Sequence, residues 1–201
     1  MYKSNMNKTD ALILKTAELN NGYITISECD ALGIHKNNVF NLAKKNMLTR
    51  QASGIYTLPE NLPDELYILH LRFPSLVFSH ETALYYLGYS DQVPFVYSVT
   101  VPNNFHSKAL ENYTVIQQKG DFINEGKIEV ETEYSNKIPV YCIERTLCDL
   151  LHKPSTLDLE RFIPALKKYL HSKDRDNIKL LEFAKKIGME KKIRTYMEVT
   201  L

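Results

Sequence analysis

The chain has no tryptophan and only three cysteines, Cys29, Cys142 and Cys148, among its 201 residues. Three is an odd number, and there is neither a Cys-x-x-Cys pair nor a Cys/His cluster. That pattern excludes a disulfide framework, offers no zinc site and suits a reducing cytoplasm. Long apolar runs are missing as well. No stretch approaches the ~20 apolar residues that span a bilayer, and Met1–Asp10 is polar, without the apolar core of a signal peptide. A cytoplasmic protein with no membrane partner is expected. Internal repeats and low-complexity tracts are also absent. With 44% hydrophobic residues the chain has enough apolar material for one large or two small cores without covalent staples.

Catalytic motifs are incomplete wherever they begin. Gly120 to Lys127 resembles a phosphate-binding loop, but its spacing is one residue too long, and Ile128 stands where a magnesium-binding Ser/Thr belongs. His80-Glu81 starts like a zinc-protease helix, yet Leu84 replaces the second histidine. No Gly-x-Ser-x-Gly elbow is present. Asp121 with Glu125-Gly126-Lys127 resembles the core of a magnesium-dependent nuclease, but the acids lie four residues apart around a turn rather than on adjacent strands. Glu129, Glu131 and Glu133 alternate along one strand face, which reads as a solvated face or a contact for a basic partner. A non-enzyme with no cofactor and no metal is expected.

What the sequence does contain is a patterned N-terminus. Lys8–Leu19 carries a mostly helical apolar pattern that stops at Asn21-Gly22, followed by the β-prone Tyr23-Ile24-Thr25. Ser27 is the expected N-cap of a short helix to Leu32, Gly33 breaks the chain, and His35–Lys45 resumes helical spacing. Leu48–Gln51 and Ile55–Leu58 then flank Ser53-Gly54 as two short strands. Residues 8–58 therefore read as a winged helix-turn-helix. With Val39, Leu42 and Ala43 turned inward, 100° per residue gathers Asn37, Asn41 and Lys44 on the outer face, flanked by Asn38, Phe40 and Lys45. Asn amides can bond bidentately to adenine, while Lys36, Lys44, Lys45 and Arg50 suit phosphate. The expected DNA-binding residues are Lys36, Asn37, Asn38, Asn41, Lys44, Lys45, Arg50 and Ser53. Phe40 either packs under the wing or touches a thymine methyl. The competing reading is a solvated polar face on a domain that pairs with protein.

Pro59–Asp64, with two prolines in six residues, is the expected linker, dividing the chain into a winged domain over 1–60 and a second domain over 64–201. In the second, Glu65–Arg72 and Glu81–Leu87 read as helices, with Ser79 as N-cap of the latter. Val96–Val101, Tyr113–Gln118, Ile128–Tyr134 and Ile138–Cys142 read as strands. Glu144–Leu151, Leu157–Leu170, Asn177–Ile187 and Lys191–Val199 return to helix. The fold class expected is α/β of the α+β type, with a helical C-terminal end. Arg145 and Asp149, at i and i+4, should pair on a helix surface.

Charge is unevenly distributed. Residues 1–58 hold seven Lys/Arg against four Asp/Glu (+3), residues 59–150 six against thirteen (−7), and residues 151–201 twelve against seven (+5). Basic ends favour a polyanionic partner. Arg161, Lys167, Lys168, Lys179, Lys185, Lys186, Lys191 and Lys192 form a candidate second nucleic-acid or antitoxicity surface, whose competing reading is an ordinary solvated helix face.

Several segments together resemble the AbiEi-like antitoxins of bacterial abortive-infection, type IV toxin-antitoxin systems. They are Ala31-Leu32-Gly33-Ile34 leading to Leu48-x-Arg50 and Gly54-Ile55-Tyr56; Phe78-Ser79-His80-Glu81-Thr82-Ala83-Leu84 ending at Gly88; Val99-Thr100-Val101-Pro102; and Ile143–Leu151. The likeness covers the chain up to about residue 151. It implies an N-terminal domain that represses its own operon through inverted repeats, and a C-terminal domain that counteracts a nucleotidyltransferase-like toxin without a necessary stable complex. The alternatives are a ligand-responsive repressor and a magnesium-dependent nuclease.

Overall fold

The computed structural model describes residues 7–152 and 159–200. The mixed α/β class expected is observed, with helices and two separate sheets. The chain divides into two compact units: one running to Pro74 together with Thr132–Asn136, the other comprising Ser75–Glu131 and Lys137 onward.

In the first unit, helix α1 (Lys8–Leu19) begins at Asn7, whose side chain accepts from the Asp10 amide and so satisfies an otherwise orphaned donor. Strand β1 (Tyr23–Thr25) leads into helix α2 (Ile26–Ala31). Its cap differs from the expected Ser27. Thr25 is the N-cap, and it forms a capping box with Glu28, which returns a carboxylate to the Thr25 amide at 2.7 Å. Glu28 lies three residues after Thr25, which is the capping-box spacing; Ser27 lies one residue inside the helix. Helix α3 (Lys36–Lys44) is capped by His35, and strands β2 (Thr49–Ala52) and β3 (Ile55–Thr57) complete an antiparallel sheet in the order β1-β3-β2. Ile13, Ala17, Ile24, Cys29, Ile34, Val39, Leu42, Leu48 and Tyr56 share one core.

The expected linker is not a linker. Asp64 is buried and caps helix α4 (Glu65–Arg72), which belongs to this first unit. Its carboxylate also accepts from the Thr132 hydroxyl and from the Asn136 amide at 2.8 Å, while the Asp64 backbone N–H donates to the Tyr23 hydroxyl at 2.8 Å. Prolines at 59 and 63 shape an ordered turn into a capped helix, so the expected boundaries at 60 and 64 move to Pro74. A fragment of residues 64–201 would sever Asp64 and α4 from their own core.

In the second unit a five-stranded sheet runs β6-β5-β4-β8-β7, comprising β4 (Val77–Phe78), β5 (Ser98–Pro102), β6 (Thr114–Gln118), β7 (Lys127–Glu131) and β8 (Lys137–Tyr141). β4 pairs antiparallel with β5 and parallel with β8, β5 pairs parallel with β6, and β7 pairs antiparallel with β8. The central strand, β4, was not expected, because two residues are too few to show an alternating pattern. Helix α5 (His80–Tyr86) follows it. Ser79 holds the N-cap position, but its hydroxyl is engaged by Thr100 Oγ1 at 2.9 Å and His80 Nδ1 at 3.0 Å, not by the helix amides. Helices α6 (Ile143–His152), α7 (Leu159–His171), α8 (Asn177–Lys186) and α9 (Glu190–Thr200) build a second core around Leu147, Leu151, Phe162, Leu166, Tyr169, Leu180 and Ile193. The start of the expected helix at Leu157 lies outside the described residues. Among those residues no helix is long and apolar enough to cross a membrane.

Candidate nucleic-acid interface

Helix α3 turns Val39 and Leu42 into the core and leaves Lys36, Asn37, Phe40, Asn41 and Lys44 exposed. The cause is the 3.6-residue period: two large aliphatics three apart fix the inner stripe, and what remains is amide, ammonium and one aromatic ring. His35 Nδ1 accepts from the Asn37 amide at 3.3 Å, which orients the first turn. Four of the eight expected DNA-binding residues, Lys36, Asn37, Asn41 and Lys44, thus share one helix face.

Two others sit at the flank and the end of the helix. Asn38 is half-buried and its amide donates to the His35 carbonyl at 3.1 Å, so it serves the helix start. Lys45 reaches the buried Asp10 carboxylate on α1 at 3.6 Å. Helix geometry placed both at the flanks; only the tertiary position of α1 shows that Lys45 has a partner.

Arg50 and Ser53 come from the β2–β3 hairpin. Gly54 at its tip has φ +76°, a left-handed conformation that any side chain would strain, so a glycine is needed for the turn. A register shift between Arg50 and Ala52 bends β2. It leaves Arg50 exposed, its Nε donating to the Ala52 carbonyl at 3.3 Å, while Gln51 donates to the Thr57 hydroxyl at 2.8 Å. Phe40, Arg50, Ser53, Gly54 and Tyr56, with Ile26 of α2, line an open cavity of about 440 Å³. Ile26 and Tyr56 were not expected here, because their convergence depends on how the hairpin folds back on α2.

The candidate basic residues come from three helices, α7, α8 and α9, and several are engaged within their own unit. Lys179 pairs with the buried Glu144 at 3.1 Å, Lys186 pairs with Glu125, and Lys168 donates to the Gly88 carbonyl. Arg161 and Lys192 are half-buried. Lys167, Lys185 and Lys191 remain exposed on three different helices. Partnering acids consume part of the charge that composition alone assigns to solvent.

The Ile143–Leu151 segment is largely interior. Arg145, expected on a helix surface, is 1% exposed. Its guanidinium donates to the carbonyls of Phe122 and Glu125, pairs with Asp149 at 3.2 Å, and lies 3.5 Å from the Tyr141 ring centroid and 4.2 Å from that of Phe122. Burial pushes the Tyr141 hydroxyl well above its ordinary pKa, with Arg145 pulling the other way. The i, i+4 pair is real, but the strand and turn that cover it could not be read from helix spacing. Of the Asp121, Glu125 and Lys127 set, Glu125 pairs with Lys186, and Lys127 donates to the Asn124 side chain at 3.3 Å. Among the described residues no three His, Cys, Asp or Glu side chains gather as a metal-binding group. Cys29, Cys142 and Cys148 are buried free thiols; burial, with Glu28 and Asp30 nearby, pushes Cys29 up to about 11.

No family model matches the sequence, and no curated protein matches it. The fold is similar to that of the solved Rv2827c protein from Mycobacterium tuberculosis, with a TM-score of 0.56 at 12% identity, over 90% of this chain and 72% of that one. At that identity the likeness is one of fold.

Proposed function

We propose that the first unit is a winged helix-turn-helix that binds operator DNA, and that the chain is an antitoxin and transcriptional autorepressor of the abortive-infection, type IV class. The observation that carries the reading is the exposed face of α3, where Lys36, Asn37, Asn41 and Lys44 stand together beside the Arg50 hairpin. α3 is the recognition helix in this reading, and the hairpin is the wing. Amides supply base-edge donors and acceptors, and the cations supply phosphate contacts. The antitoxin role rests on the resemblance of the segments up to about residue 151. In it the chain counteracts a nucleotidyltransferase-like toxin by binding and regulation rather than by catalysis, in the cytoplasm.

Gel-shift titration at fixed salt, on the DNA upstream of the chain's own gene, tests the recognition helix. Asn41→Ala is expected to lose about 1–3 kcal/mol on the cognate site only, and Lys44→Ala to weaken all sequences alike. Unchanged affinity in both variants removes α3 from the interface. The wing has its own measurement. If Arg50 meets a phosphate, Arg50→Ala flattens the slope of log affinity against log salt by about one unit; an unaltered slope makes the hairpin purely structural. Co-expression of the full chain with a nucleotidyltransferase-like toxin encoded beside it should restore growth, and failure to do so refutes the antitoxin half of the reading.

A further inference from the structure

We propose that Phe40 reads a thymine by its 5-methyl group, with Arg50 and Ser53 holding the adjoining phosphate; this rests on the operator-binding reading and adds a base preference to it. Phe40 is an unusual occupant of the α3 outer face. Phenylalanine is normally drawn into a core, and the core beneath α3 is already filled by Val39 and Leu42, both fully buried. Phe40 instead keeps 39% of its surface exposed, between Lys36 and Lys44 one turn to either side.

The surroundings divide into two chemistries. Phe40 and Ile26 give the cavity an apolar wall, while Arg50 and Ser53 supply a cation and a hydroxyl on the hairpin side. Between these walls a cavity of about 440 Å³ stands open. Of the four bases only thymine presents a methyl group to the major groove, and it does so within one nucleotide of a phosphate. An apolar wall beside a guanidinium, on a face otherwise made of amides and ammoniums, is complementary to that pair. The surrounding cations, Lys36, Lys44 and Arg50, match a polyanionic duplex better than a neutral apolar peptide.

The probe is a duplex recovered from a randomised pool by repeated selection on the full-length chain, then resynthesised with deoxyuridine replacing thymine one position at a time. Deoxyuridine keeps the base pair and removes only the methyl. Wild-type protein should lose about four-fold in affinity at one thymine per recognition site, equivalent to about 0.8 kcal/mol for one methyl group taken from water. Phe40→Ala should bind the thymine and deoxyuridine duplexes equally, and Phe40→Leu, which retains an apolar side chain, should keep part of the preference. Tight wild-type binding that is indifferent to deoxyuridine at every position overturns the thymine contact and leaves the operator reading standing. Persistent discrimination by a folded Phe40→Ala, checked by circular dichroism, overturns Phe40 as its source. Recovery of no duplex at all overturns the operator reading, and the thymine contact falls with it.

Discussion

Arg145→Ala is expected to cost about 3–5 kcal/mol, the range for removing one member of a buried ion pair, and to unfold the second unit at markedly lower urea than wild type. The guanidinium joins three elements of one unit: it pairs with Asp149 on its own helix, donates to two backbone carbonyls in the 120–125 turn, and lies against the Phe122 and Tyr141 rings. Alanine leaves the half-buried Glu125 carbonyl without its donor and the Phe122 carbonyl with only the Glu125 N–H at 3.1 Å, and it opens a cavity beneath both rings. The neighbouring backbone is packed closely on the stem. Gly126 has φ +71°, and an added Cβ there would lie 2.9 Å from the Phe183 ring and 3.2 Å from Arg145 Cδ, so the backbone passes directly against the guanidinium stem. Arg145→Met separates the contributions, since it restores the stem but not the charge; it should recover part of the loss and leave the Glu125 carbonyl unpaired. Urea titration followed by circular dichroism measures both variants. A loss below about 1 kcal/mol for Arg145→Ala, the range of an ordinary surface pair, would mean that the network contributes no net stability.

The second large effect belongs to Asp64. Asp64→Ala removes the acceptor for the Thr132 hydroxyl and the Asn136 amide, together with the cap on the Tyr67 amide. Hydrogen bonds to a charged group contribute about 1.5–3 kcal/mol each, and a lost cap about 1 kcal/mol. Their sum is moderated because the freed donors can recruit water, so a loss of about 3 kcal/mol in the first unit is expected. Asp64→Asn keeps one oxygen acceptor and should fall between alanine and wild type. Amide hydrogen exchange localises the effect. Faster exchange in α4 and in Thr132–Asn136 is expected, whereas unchanged protection there would return residues 59–64 to the status of a simple linker.

The difference between Asp64 as a linker residue and Asp64 as a buried junction shows where sequence reading stops. Two prolines in six residues do mark a turn, and Glu65–Arg72 is helical as expected, but the partners of Asp64 lie more than sixty residues away at Thr132 and Asn136. Local composition carries no information about such a contact. The same limit applies to β4: flanking elements can be read from their periods, while a two-residue strand gains its identity only from the neighbours on both sides. In α3, the inward turn of Val39 and Leu42 follows from 3.6-residue spacing, and so does the shared face of Asn37, Asn41 and Lys44. Lys45 escapes that rule because its side chain is long enough to reach Asp10.

The sequence by itself determined the order of the α-helices and of every strand but β4, the α+β class and the polar face of α3, because apolar period, capping residues and glycine turns act within a few residues of where they stand. Tertiary structure alone decided that Arg145 is interior, that Asp64 joins distant segments, that acids neutralise part of the basic C-terminal helices, and that Phe40, Arg50 and Ser53 border one cavity. These are meetings between residues far apart in the chain, and burial and pairing are properties of the assembled neighbourhood rather than of the residue.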